Sequence, residues 1–351
     1  MLVGVKTVAT AFPGPGGHVA RYLDNVMNAV RNAQTDARFA VFTTPDNHDS
    51  YEGWMRVPVS PPTSASLRGL LGRSDGLEGP LREAKPDVLL APLSDPHPGG
   101  SVPQVLYALD VAPWEKDAPA PLDEVADVRT IRKAVQSARA LIVTSEHLRR
   151  RCLELFDAPL NKSIVAPPGV NPVFQNPART IVQEPYAVIF VDALAYPALP
   201  GVCKMMEVLR EEYPENYVVV GPALTGQPEP WDDTVVRIEK MPDTGIAGLY
   251  QHATVFLNPA VHDGSALRTF EALMAGVPVV CARSGATVEL TGQTPVYYNP
   301  GSVDSMVQAM RRMLEADEKE RADRVNFGRQ AITRYRWDDT AWKVLAALKK
   351  K

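Results

Sequence analysis

Short apolar runs recur along the chain, separated by stretches with the spacing of amphipathic helices. Leu2 to Thr10, Arg38 to Thr43, Asp87 to Pro92, Val102 to Ala108, Ala140 to Ser145 and Ser163 to Ala166 read as strands buried on both faces, as in a parallel sheet. The pattern restarts with Tyr186 to Asp192, Tyr217 to Gly221, Val235 to Ile238, Thr254 to Asn258 and Val277 to Ala282. Strands alternating with helices predict an α/β fold, here two Rossmann-like doubly wound parallel-sheet domains. Val202, Met205, Met206, Leu209 and Tyr213 define the buried face of one such helix and send Lys204 toward its rim.

Prolines and a glycine in Ala166-Pro167-Pro168-Gly169-Val170-Asn171-Pro172 break the pattern and mark a hinge. The expected division is an N-terminal domain over 1–170, a C-terminal domain over 171–334 and a last helix over 335–351. That helix suits packing on either domain, and a return to the N-terminal one is expected. Val57 to Pro62 and Asp95 to Gly100 read as Pro-rich surface loops without recognisable chemistry.

Composition narrows the class. A chain of 351 residues with 45% apolar and 22% charged residues suits two globular cores. No run approaches the ~20 apolar residues of a membrane span. The beginning, Met1 to Lys6, lacks the features of an export signal, so a cytoplasmic location is expected, with peripheral attachment to a membrane as the alternative. For Arg149-Arg150-Arg151, a solvated helix face is preferred over a contact for an anionic lipid surface. Net charge is −4 without a basic tail, which disfavours nucleic acid as a partner. Cys152, Cys203 and Cys281 form no disulfide framework and the six histidines no ligand cluster, so no metal site is expected.

The chemistry concentrates in Phe256 to Val280, where a strand ends at Pro259, a loop bears Asp263 and Gly264, and a helix begins near Ser265 or Ala266. The carboxyl end of a strand in an open α/β sheet is where ligands bind. The first amides of that helix lack intrahelical acceptors and suit a phosphate, and Gly264 lets the backbone come close. At ~1.5 Å per residue, Glu271 stands about 7 to 8 Å along the axis, roughly the span from a diphosphate to a ribose. Asp263 lies where a transferred sugar would sit. The bland alternative remains open: Asp263 and Ser265 cap the helix, and Glu271 pairs with Arg268. An open helix start and an outward Glu271 are what the ligand reading requires.

An acid, seven residues, then Glu followed by Ala-Leu-Met-Ala-Gly-Val-Pro-Val-Val resembles the retaining glycosyltransferases of the GT-B fold, group-one (family four) class. Gly14-Pro15-Gly16-Gly17-His18, Ile142 to Glu146, Lys162 to Phe174, and Tyr335 with Trp337 extend the resemblance over most of the chain. The resemblance implies two domains facing a cleft and a nucleotide-sugar donor. It further implies that Glu271 binds the donor ribose, Asp263 lies by the donor sugar, and the backbone of Gly264, Ser265, Ala266 and Leu267 holds the diphosphate. Gly16 and Gly17 would approach that diphosphate from the other domain. The implied activity is that of a metal-independent retaining hexosyltransferase. It needs no cofactor beyond its nucleotide-sugar substrate, and its acceptor is a glycan, a lipid-linked or a small molecule. The chain departs from the class where an Arg and a Lys usually meet the donor phosphates: Ala193 and Pro200 stand there. Arg268 is a candidate substitute. The usual His-Asp of the first domain is Leu109-Asp110, which leaves Asp110 as a candidate for substrate contacts. These departures define the rival reading, a catalytically inactive GT-B protein that binds a glycan, a nucleotide or an enzyme partner.

Overall fold

The computed structural model describes residues 1–7, 18–44, 47–59, 76–97, 99–115, 126–191, 195–213, 216–221, 231, 235–239 and 241–350. They form two compact units, one from the residues up to 166 together with Trp337–Lys351, the other essentially Pro167–Arg336. Gly16, Gly17 and Ala193 lie outside the described residues, as do positions 8–10 of the first expected strand.

The first unit is built on a seven-stranded sheet with the order β3-β2-β1-β4-β5-β6-β7. Its strands are β1 (Leu2–Lys6), β2 (Arg38–Thr43), β3 (Met55–Pro58), β4 (Val88–Pro92), β5 (Gln104–Ala108), β6 (Ala140–Val143) and β7 (Ser163–Val165). All pairings are parallel. Every residue of β4, β5 and β6 is buried, the condition that makes these strands legible as unbroken apolar runs. Helix α1 (His18–Asn32) covers one face with Tyr22, Leu23, Val26, Met27 and Val30. The other face is closed by α2 (Glu78–Ala84), α3 (Val128–Ser137) and α4 (Glu146–Phe156), through Leu81, Ile131, Val135, Leu148 and Phe156. Asp127 and Ser145 cap α3 and α4 by accepting from the amides of Thr130 and Leu148.

The second unit has a six-stranded parallel sheet, β10-β9-β8-β11-β12-β13. It comprises β8 (Tyr186–Phe190), β9 (Asn216–Val220), β10 (Val235–Ile238), β11 (Val255–Asn258), β12 (Val279–Ala282) and β13 (Val296–Tyr298). Counted within the unit, this is the order 3-2-1-4-5-6 of a dinucleotide-binding sheet, and its direction reverses between β8 and β11. Five helices flank the sheet: α5 (Leu199–Arg210), α6 (Asp243–His252), α7 (Leu267–Ala275), α8 (Gly285–Thr291) and α9 (Val303–Leu314). On α5, Val202, Met205, Met206 and Leu209 are buried, while Lys204 is exposed and pairs with Glu207 at 2.9 Å. Helix α10 (Glu318–Ile332) packs beside α7, and α11 (Trp337–Lys349) belongs to the first unit. There Ala341, Val344, Leu345 and Leu348 share a core with α1, and Trp337 meets Tyr22 edge-on at 5.6 Å.

Two strands escape the apolar-run pattern. Met55–Pro58 is a strand where the reading placed a loop starting at Val57, and Val296–Tyr298 is a strand not foreseen at all. Both are short strands at sheet edges, where most of their residues are partly exposed, so neither stands out as a long buried run, and Pro58 is tolerated because an edge position needs no second ladder bond.

Candidate functional site

The β11–α7 connection sits at the reversal point of the second sheet, and a buried polar network shapes it. Asn258, the last residue of β11, accepts from the Ala260 amide through its side-chain oxygen (3.2 Å). Its Nδ2 donates to Asp263 Oδ2 (3.2 Å) and to Thr269 Oγ1 (3.1 Å). Asp263 Oδ1 accepts three further bonds, from the amides of Ser265 (3.0 Å) and Ala266 (2.8 Å) and from Ser265 Oγ (3.0 Å). Asp263 is only 5% exposed. Ala266 enters the helix in the left-handed region at φ +52°, and Leu267 is the first helical residue.

These contacts correct two expectations. The Ser265 and Ala266 amides do not face outward to receive a phosphate, because the Asp263 carboxylate, two and three residues earlier, reaches them first. Asp263 itself shapes the loop, its two oxygens taking four bonds from its own neighbourhood. A carboxylate that close in sequence is at very high effective concentration, so local capping prevails over an external partner. Gly264 and Leu267 are buried in the same elbow, and the Leu267 amide lies 3.4 Å from Ser265 Oγ.

The third correction concerns Glu271. It is 2% exposed, inside the unit and not turned outward, and its Oε2 accepts from Arg268 Nη1 at 3.0 Å. The Arg268 guanidinium lies 4.3 Å above the ring of Phe190, the last residue of β8. The end of β8 and the first turn of α7 therefore meet through one stacked, carboxylate-bound cation. At its far end α7 is fixed by Gly276 in the left-handed region (φ +92°) and by Arg329. Arg329 donates to the carbonyls of Met274 (3.1 Å) and Ala275 (2.9 Å).

Asp110 belongs to the first unit. It follows β5, its Oδ1 accepts from the Ala112 amide at 3.1 Å, and with Ser94 and Trp114 it lines a cavity of about 20 Å³. Pro200 is an exposed residue in the first turn of α5. The Arg149 to Arg151 cluster is engaged locally, Arg149 with Glu146 at 2.9 Å and Arg151 with Glu115 at 2.7 Å and with Glu154. Among the described residues no group of three His, Cys, Asp or Glu side chains is placed to hold a metal, and no helix is long and apolar enough to cross a membrane.

The sequence reading missed Phe190, Asn258 and Thr269. A detectable signal existed for Asn258, an amide ending an otherwise apolar buried strand, because such a group is kept only where its bonds are met. It also missed Lys6, which ends β1 fully buried and pairs with Asp95 at 3.0 Å, in a loop thought empty of chemistry.

Residues 186–316 match the family model described as glycosyl transferases group 1. The chain is 21% identical over 247 residues to the O-antigen chain mannosyltransferase B of Escherichia coli, covering 63% of each protein. It spans less than two thirds of the curated relatives it matches. Among solved structures it resembles sucrose-phosphate synthase from Thermosynechococcus elongatus (TM-score 0.76, 13% identity, 98% of this chain and 97% of that one). It also resembles WaaG, a glycosyltransferase involved in lipopolysaccharide biosynthesis (TM-score 0.73, 15% identity, 100% of both chains). At these identities the likeness establishes the fold, that of the GT-B glycosyltransferases.

Proposed function

Starting from a C-terminal unit of the group 1 glycosyl transferase type, we propose that the chain moves a sugar from a nucleotide diphosphate donor to a hydroxyl acceptor with retention of anomeric configuration, as a hexosyltransferase. The observation that carries this reading is the coincidence of the family match over 186–316 with a 3-2-1-4-5-6 sheet that holds a fixed cation at its reversal point. Neither an open helix start nor an outward Glu271 is present at the β11–α7 elbow, so the family match over 186–316 alone supports donor binding at the carboxyl edge of that sheet. The acceptor is a glycan, a lipid-linked or a small molecule.

In this reaction the bond from the anomeric carbon to the diphosphate oxygen breaks, and a bond from that carbon to the acceptor oxygen forms on the same face. The acceptor proton passes to the departing phosphate oxygen. The developing charge is on the diphosphate, so protein cations fixed near it supply the stabilisation. Asp263 contributes by holding the loop, since both its oxygens are bonded within the elbow.

A rival reading, a non-catalytic protein of this fold that binds a nucleotide, glycan or enzyme partner, draws support from the inward use of Asp263 and from Pro200 at the start of α5. A thermal-shift screen over nucleoside diphosphates and nucleotide sugars, followed by a donor-dependent product assay, separates the two. At about 100 Kd of ligand the transferase reading expects roughly 2.7 kcal/mol of stabilisation by one nucleotide class, and then product. Stabilisation without any product across donors and acceptors supports the rival. No stabilisation by any nucleotide refutes the transfer reading.

A further inference from the structure

In the proposed reaction the acceptor oxygen meets the anomeric carbon of the donor, so the rest of the acceptor falls within reach of residues that rim the carboxyl edge of the second sheet. Arg283 is one of them. It follows β12 directly, is exposed, and holds its guanidinium 4.9 Å above the ring of Tyr297 in β13. Its amide donates to the Tyr298 carbonyl at 3.0 Å, which carries the sheet ladder one residue past the strand. Register sets its level. Asn258, the last residue of β11, is opposite Cys281, so Arg283 stands two residues farther out, about 6–7 Å beyond that level. Side chains alternate along a strand, which puts Arg283 on the face of Cys281, the one that packs against α7 and Ala266. The Cys281 thiol senses both neighbours: burial pushes it up, the Asp263 charge adds to that, and Arg283 opposes it.

We propose that Arg283, held over Tyr297, binds a phosphate or carboxylate group carried by the acceptor, and that the acceptor is therefore anionic. The proposal rests on the transfer reading and adds to it the charge of the acceptor. Several arginines of the second unit are spent within it: Arg311 on Glu212 at 2.7 Å, Arg324 on Glu320 at 3.0 Å, Arg329 on the last carbonyls of α7. Among the described residues Arg283 pairs with no carboxylate, and its contact is the Tyr297 ring.

That contact suits an anion site. An aromatic face engages the guanidinium from one side and leaves the N–H donors at its rim, a rigid fork that matches two oxygens of a phosphate or carboxylate. The platform is itself anchored, since the Tyr297 hydroxyl donates to the Gly292 carbonyl at 2.6 Å and lies 2.9 Å from Thr291 Oγ1. Holding the side chain before the ligand arrives lowers the ordering cost of binding. The donor diphosphate is a second source of the same chemistry, and the experiment separates the two.

The test is isothermal titration of the full chain saturated with the nucleoside diphosphate it binds. Mannose 6-phosphate, glucose 6-phosphate and glucuronate are compared with uncharged mannose and glucose. Flotation with phosphatidylcholine vesicles, with and without phosphatidic acid, is the second arm, for a lipid-borne phosphate. Wild type, Arg283→Gln and Arg283→Lys are compared, with equal melting temperatures as the check on folding. Expected is about tenfold tighter binding of an anionic probe than of its uncharged counterpart, or vesicle binding that requires phosphatidic acid. Arg283→Gln removes that preference and Arg283→Lys retains part of it, while nucleoside diphosphate affinity stays within about twofold of wild type. Absence of an anionic preference in both arms, or a preference that survives in Arg283→Gln, overturns the proposal. So does a nucleoside diphosphate affinity that falls together with that of the anionic probe, which makes Arg283 a donor residue. In each of these cases the transfer reading survives; if wild type binds no nucleoside diphosphate, both fall.

Discussion

Replacing Asp263 by alanine tests whether this acid builds the elbow or faces a substrate. The substitution deprives four donors of their acceptor: the amides of Ser265 and Ala266, Ser265 Oγ and Asn258 Nδ2. All lie in residues no more than 5% exposed, so water does not replace the carboxylate without rearrangement. Each buried donor left unmet costs about 1–3 kcal/mol, and allowing for relaxation and partial entry of water the expected loss is about 4 kcal/mol. For a domain of about 150–250 residues that lowers the melting temperature of the second unit by roughly 8–16 °C. Asp263→Asn is milder. Its oxygen keeps the three bonds at Oδ1, but its new NH₂ faces the Asn258 NH₂, and turning Asn258 round only moves the clash to the Ala260 amide, so about 1–3 kcal/mol is expected. Urea unfolding, with the slope checked for constancy, measures both values. A change below about 1 kcal/mol for Asp263→Ala, together with lost turnover, would show that the carboxylate points at substrate and that the capping argument is wrong.

Gly276→Ala is expected to destabilise the second unit by about 1–3 kcal/mol in calorimetry, because φ is +92° there and an added Cβ meets the Arg329 guanidinium that caps α7. Leu345→Ala, in the helix that joins the first unit's core, should cost about 2–5 kcal/mol in the unfolding transition of that unit and leave nucleotide affinity of the second unchanged. Burial pushes the Cys152 thiol up to about 12 and Tyr51 likewise to about 12. Both groups are neutral in either state below about pH 8, where the contribution is complete. As pH rises the unfolded chain ionises first, so stability falls between about pH 9 and 12, and urea midpoints at pH 8 and 10.5 read the drop. Native Cys152 should accordingly resist alkylation at pH 9 until the chain is unfolded, as mass spectrometry reports.

The site was legible as a place more than as a geometry. Strand, acid-bearing loop and helix are local features, and their order locates the elbow at the carboxyl end of β11 without coordinates. Which acid turns inward is decided by competition among donors that local pattern does not rank. Asp263 and Glu271 have the same charge and similar settings along the chain, yet one is consumed by two amides, a hydroxyl and Asn258, the other by Arg268. Capping and pairing were visible beforehand as alternatives, because both are short-range. Phe190 was not, since it lies far from Arg268 in sequence and meets it only because β8 and β11 are neighbours in the sheet.

The sequence alone determined two parallel-sheet cores, since strands buried on both faces are written as unbroken apolar runs between amphipathic helices. It placed a boundary between 170 and 171, in a stretch whose prolines remove the donors and dihedral freedom that regular structure needs, whereas the two compact units divide between Ala166 and Pro167. The edge strands Met55–Pro58 and Val296–Tyr298, the choice between two units for α11 and the inward turn of Glu271 were decided only by tertiary structure. Each depends on which surface ends up beside which, a non-local outcome of packing that no window along the chain contains.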